Sequence, residues 1–282
     1  TANGIGVNGA TTTANIENNR ISGMSLMTSA GILRGIWINN TSSNNTVINN
    51  NLIGSNTTAF SMQVTAGTTN TNVTEVTGIL QNSANGTFTI SNNTLANLMT
   101  PNSVSTSTLS FIRGIVATDG TNNITGNTLK SFTSAIANTS TTAANAAVQG
   151  IQLSAASGTH TINNNTITAL NATSATQAVS VSGIINTSGG TVTCNGNKIY
   201  SIGTASSAAA ATVRGIHITA GTGTYANNMI RLGIKDDGTS YTNGHAIYGI
   251  DESNATNTIA FNTIYIGGTG VSTNATNTVA LL

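Results

Sequence analysis

The stretch "IKDDGTSYTNGHAIYGIDES", Ile234 to Ser253, holds the densest set of residues able to do acid–base or metal chemistry: Asp236, Asp237, His245, Asp251 and Glu252. Paired carboxylates beside a histidine suit general acid–base catalysis or a hard cation. The local order argues for something simpler. Asp236, Asp237 and Gly238 are turn formers standing together, and a solvated turn outranks a weak cation site, which outranks catalysis. The other two histidines, His160 and His217, fall at different places in the pattern described next, so the three form no metal-binding column. Cys194 is the single cysteine and cannot form an intrachain disulfide. It stands where most repeats have Ile, which reads as a small buried hydrophobe. The expectation is an enzyme-free chain with no catalytic residues, no metal ligands and no cofactor.

The elements that would have to position any site come from an internal repeat. Aligned on an Asn followed two residues later by Ile or Leu, the chain shows anchors at Asn19, Asn51, Asn93, Asn127, Asn165, Asn197, Asn228 and Asn262. Three residues before the anchors stand Ile16, Ile48, Ile90, Ile124, Ile162, Cys194, Tyr225 and Ile259. Thr stands six before in seven of the eight, and a Gly-Ile pair lies 13 to 16 residues upstream every time. Each repeat therefore reads as a Gly-Ile strand, a turn, a Thr-rich strand, a bend at Asn, a short strand and a variable return loop.

Strands this short cannot bury an apolar face alone. Stacking equivalent units about 4.8 Å apart lets each strand pair with its counterparts above and below. The pattern predicts an all-β fold, a right-handed parallel β-helix of about eight coils, formed by residues 1–282 as a single domain. Asn suits the corner because it tolerates the left-handed backbone region and its amide both donates and accepts. Stacked corner amides are expected to bond to one another as an internal Asn ladder.

Composition narrows the partners. Of 282 residues, eight are basic and seven acidic, giving a net charge of +1. That leaves no basic footprint for nucleic acid. No apolar run approaches the ~18 residues of a membrane span, so no membrane insertion is expected. Hydrophobic residues make up 38% of the chain and are regularly placed, which argues against low-complexity disorder.

The pattern Thr-x-x-Ile-x-x-Asn-x-Ile resembles that of right-handed parallel β-helix proteins over essentially the whole chain. "NNMIRLGI" and "FNTIYIGGTG" are similar to repeats of very large secreted or cell-surface proteins of Bacteroidota bacteria. That resemblance implies an extracellular location and no defined chemistry. Some β-helix families are polysaccharide lyases or hydrolases, whose sites lie on the outer face of one strand column. The column expected to point outward here is Trp37, Leu80, Val116, Gln152, Ile185, His217 and Asp251. It supplies neither clustered acids for calcium nor a Lys or Arg base. Asp-Asp followed by Gly-His superficially resembles polygalacturonases, but the spacing is too short and no Arg-x-Lys follows. Arg34, Arg113 and Arg214 each precede Gly-Ile and read as lining one edge, too far apart to cluster unless loops intervene.

One outward feature invites contact with a surface. Thr87 and Thr89, Thr159 and Thr161, Thr191 and Thr193, Thr222 and Thr224, and Thr256 and Thr258 form a two-column Thr array, interrupted by Asn15, Val47 and Asn123 in one column and by Asn45 in the other. Regular Thr-x-Thr faces resemble those of ice-binding proteins, although Thr is also simply a good outward strand residue. The reading is an extracellular structural or adhesive β-helix, part of a surface adhesin or filament. Its expected partners are neighbouring repeat domains or copies stacked end to end, and a glycan or cell-surface target met through Trp37 and the Thr face. Ice binding and polysaccharide binding or degradation are the alternatives.

Overall fold

The structure, a computed structural model, describes residues 1–9, 13–28, 30–40, 44–65, 71–101, 106–254, 256–271 and 277–282. Three parallel sheets run side by side along it. Sheet A has nine strands, beginning with Ala2–Gly9 and Ile32–Asn40 and ending with Ala246–Glu252 and Thr278–Leu281. Sheet B has eight, from Thr13–Glu17 to Thr258–Ala260. Sheet C has eleven, because its early coils split each strand in two, as in Thr94–Ala96 and Leu98–Thr100. The chain visits A, B and C in turn, so eight coils form a parallel β-helix. Among the described residues the one helical segment is the turn Ala143–Asn145, and no helix is long and apolar enough to cross a membrane.

The register follows the repeat residue for residue. Ile16, Ile48, Ile90, Ile124, Ile162, Cys194, Tyr225 and Ile259 pair in one inward column of sheet B. Ile21, Ile53, Leu95, Leu129, Ile167, Ile199, Ile230 and Ile264 do the same in sheet C. Together with Ile36, Ile79, Ile115, Ile151, Ile184, Ile216 and Ile250 of sheet A they form one continuous core. The Gly before each of those Ile residues answers a close approach. A Cβ on Gly114 would lie 2.5 Å from the Gly150 carbonyl oxygen and 2.3 Å from Leu129, and Gly150 meets Gly183 in the same way.

At the B-to-C corner two neighbouring residues divide the work. The left-handed conformation falls on the residue before each anchor: Asn18, Asn50, Asn92, Gly126, Asn164, Gly196, Asn227 and, in the last coil, Phe261. The anchor itself turns inward and makes the ladder. Asn165 Oδ1 accepts the backbone N–H and the Nδ2 of Asn127, at 2.9 and 3.0 Å. Asn165 in turn donates its backbone N–H and Nδ2 to Asn197 Oδ1, and Nδ2 also to the Ile124 carbonyl at 2.9 Å. The same links join every successive pair of anchors from Asn19 to Asn262. From Asn51 to Asn228, each amide therefore accepts twice through Oδ1 and donates to the amide and the carbonyl beside it, with no polar valence left over inside the core.

Candidate functional site

Sheet A carries the charged residues that the repeat does not explain. Outward and inward positions alternate along each strand except at the Gly-Ile step, where both residues face the core, so Arg34, Thr77, Arg113, Gln149, Ser182, Arg214 and Tyr248 stack in one outward column. Trp37, Leu80, Val116, Gln152, Ile185, His217 and Asp251 stack in the next, as expected from the sequence. Although outside the core, that second column is buried from Leu80 to Asp251. Return-loop residues Ser140, Ala178 and Ala210 stand beside Ser180, Thr212 and Arg214 on this face, with a small 70 Å³ recess between them.

Two charge clusters result. Glu75 Oε1 takes Arg34 Nε and Arg113 Nη2, both at 3.2 Å, and the Thr77 hydroxyl at 2.8 Å. Arg34 and Arg113 are thus joined across two coils, where sequence spacing alone had set them too far apart. The residue missed was Glu75, which lies two before the column and so bridges its neighbours. Burial works to raise the Glu75 pKa, but the two guanidinium groups outweigh it and hold the carboxyl below its ordinary value. The second cluster is Arg214 with Asp251, at 2.5 Å between Nε and Oδ2, with His217 Nε2 3.7 Å from the same oxygen. Burial first, and Arg214 second, push the His217 pKa down to about 4. The imidazole is neutral near pH 7 and pairs with Asp251 as a dipole. Each Arg also lies over an aromatic ring: Arg34 on Trp37, Arg113 on Phe111 and Arg214 on Tyr248, at 5.7, 4.7 and 5.3 Å.

The acidic stretch that opened the sequence reading is split by the fold. Asp251 belongs to sheet A, whereas Asp236 and Asp237 sit in a turn bridged by Ile234 and Ser240. Asp237 accepts the Thr239 N–H and hydroxyl at 2.9 and 2.6 Å, a side chain closing its own turn. His245 is buried among loop residues, its pKa pushed down to about 4 by desolvation. His160 points into the coil interior, accepting from the Asn122 N–H and bonding the Ser157 carbonyl. Cys194 is fully buried, its thiol pushed up to about 12 by desolvation, and donates weakly toward Asn228. Among the described residues, no three His, Cys, Asp or Glu side chains come together as a metal site.

The Thr array lies on the outer face of sheet B. Thr159, Thr191 and Thr222 stack in register, and Thr161, Thr193, Thr224 and Thr258 in the parallel column. Thr87 pairs with Thr121 of the next coil, whereas Asn123 stands between Thr89 and Thr161. Thr256 leaves the column: it sits in a turn, its hydroxyl bonded to the Gly221 carbonyl. An unbroken run of Thr therefore spans coils five to eight in the Thr161 column, whereas the Thr159 column holds Thr from coil three, at Thr87 and Thr121, to coil seven.

No family model, curated protein or solved structure matches the chain.

Proposed function

We propose that this chain is an extracellular structural and adhesive segment: a rigid β-helical spacer of a secreted or cell-surface repeat protein, of the kind its sequence resembles in Bacteroidota, with no catalytic role. The supporting observation is how the charged groups are spent. On sheet A, where β-helix enzymes would place a site, Glu75 is committed to Arg34 and Arg113, and Asp251 to Arg214. Glu75, held below its ordinary value by its two guanidinium partners, is a poor general base. The scaffold adds coils through strand pairing, stacked core side chains and Asn links, so neighbouring repeats or further copies extend it without a new kind of interface.

The test is a panel of neutral and acidic polysaccharides incubated with the purified chain, alongside antibody labelling of intact cells that produce the parent protein. The expected result is surface labelling without release of reducing ends or unsaturated sugars. Product release that disappears in Asp251→Asn would replace this reading with an enzyme. The in-register Thr columns favour ice binding as a second reading, which altered ice growth, lost in Thr193→Tyr, would establish.

A further inference from the structure

The return loop of the seventh coil does something no other described loop does. After Leu232 the chain leaves sheet C at Gly233 and folds back over earlier coils. The Thr168 hydroxyl, two coils below, donates to both carboxylate oxygens of Asp236 at 3.1 and 3.2 Å. The Asp236 N–H donates to Ser201 Oγ at 3.0 Å, and the Tyr241 hydroxyl donates to Asn171 Oδ1 at 2.6 Å. Asn243 Nδ2 reaches the Ala205 carbonyl at 2.5 Å. Gly203 makes room for this crossing, because a Cβ there would lie 2.4 to 2.7 Å from the Tyr241 ring. The loop is thereby fastened to coils five and six at four separate points.

Between the loop and the sheet it crosses lies a half-open cleft of about 420 Å³. That volume is within the range of small-molecule sites, about 300–1,000 Å³. Its lining includes Thr133, Asn171, Thr173, Thr204, Tyr241 and Asn243. Lys235 is the one charged residue in the lining, its ammonium 5.4 Å from the Tyr241 ring centre. Of the two neighbouring acids, Asp236 accepts from the Thr168 hydroxyl, and Asp237 accepts within its own turn and also feels the Lys235 ammonium.

We infer that this cleft binds a carboxylated sugar unit, with Lys235 pairing the carboxylate and the Thr and Asn side chains meeting the sugar hydroxyls. Neutral hydroxyls and amides both donate and accept, as a polyol requires, and one ammonium set among them selects a single negative charge. The inference deepens the adhesive reading by naming a target class and the place where it is held.

The test uses the whole chain, isotope-labelled, titrated with sodium glucuronate, galacturonate and N-acetylneuraminate, with glucose and sodium acetate as controls at matched ionic strength. At least one sugar acid should saturably shift the side-chain amide signals of Asn171 and Asn243, with a Kd on the order of 1 mM. Lys235→Met should weaken that binding about tenfold, the loss of one charge-assisted hydrogen bond. Lys198→Met, on the outer face of sheet C but outside the cleft lining, should leave it unchanged. Silence from all three acids, equal binding by Lys235→Met, or acetate acting as strongly as the sugar acids would overturn the inference. None of these outcomes touches the polysaccharide-cleavage test, so the cleft and the non-enzymatic reading fail separately.

Discussion

The inner corner and the outer face of sheet A are built on the same eight coils and solve burial in opposite ways. At the corner every rung is Asn, and each amide satisfies the next. On the outer face the residues change from rung to rung, and its buried carboxylates stand where neighbours complement them: Glu75 between two arginines, Asp251 between Arg214 and His217. Between those clusters Gln149 Oε1, Gln152 Oε1 and Ser182 Oγ are buried without a protein partner. A column of identical amides is self-complementary by translation, whereas a column of charges needs alternating partners. The first is a property of the repeat; the second is specific to this chain.

The largest expected effect comes from breaking the corner. Asn165→Ala takes from Asn127 the acceptor of its backbone N–H and of one Nδ2 hydrogen, and leaves the Ile124 carbonyl without that donor. At roughly 1–3 kcal/mol for each buried group left unmet, the cost should reach about 3–4 kcal/mol. Thermal melts would show it, and hydrogen exchange should rise chiefly in the strands on either side of residues 127, 165 and 197. Protection lost evenly along the chain would contradict a locally held ladder.

Breaking the Glu75 cluster should cost less. Glu75→Ala strands two guanidiniums whose side chains are 17% and 13% exposed. Removing one partner of a buried pair typically costs about 3–5 kcal/mol, and water reaching these arginines reduces that to about 2–3 kcal/mol. The double variant Arg34→Met with Glu75→Leu should recover part of the loss. No recovery in a double-mutant cycle would mean that packing, rather than the ion pair, holds this face.

Acidification offers a third handle. His217 and His245 are held neutral down to about pH 4, while the unfolded chain protonates them at the ordinary value near 6.5. The unfolded state therefore binds more protons between those values, and stability falls as pH drops from about 6.5 toward 4. One unit below 6.5 each histidine contributes up to about 1.4 kcal/mol of that fall. His160 is also pushed down by burial, so His245→Gln should flatten the pH dependence of the melt only in part, and an unchanged slope would assign the acid sensitivity to other groups.

The smallest effect should be on the Thr face. Thr193→Ala removes an exposed methyl and hydroxyl and should change stability by less than about 0.5 kcal/mol. A cost comparable to Asn165→Ala would mean that the exposed face of sheet B holds the fold as strongly as the corner ladder does.

Legibility in the sequence followed periodicity. The anchors, the inward Ile columns and the Gly-Ile landmarks were readable because each recurs in eight copies and maps onto one stacked column. What stayed hidden was the division of labour at the corner, where the left-handed residue precedes the laddering one. The bridging role of Glu75 was also hidden, since a single acid in one repeat carries no periodic signal. The cleft under Tyr241 was hidden for the same reason, its hydrogen bonds joining residues 70 apart in the chain.

The sequence by itself determined the β-helix, its number of coils, its register and its interior amide ladder, because translation from coil to coil leaves a repeated residue only one set of neighbours, its own copies. Tertiary structure alone decided which outward charges meet, how deeply the outer face of sheet A is buried, and where the loop after Leu232 lands. Those depend on return loops of unequal length crossing the stack, and a non-repeating contact between distant coils is set by geometry that no single repeat contains.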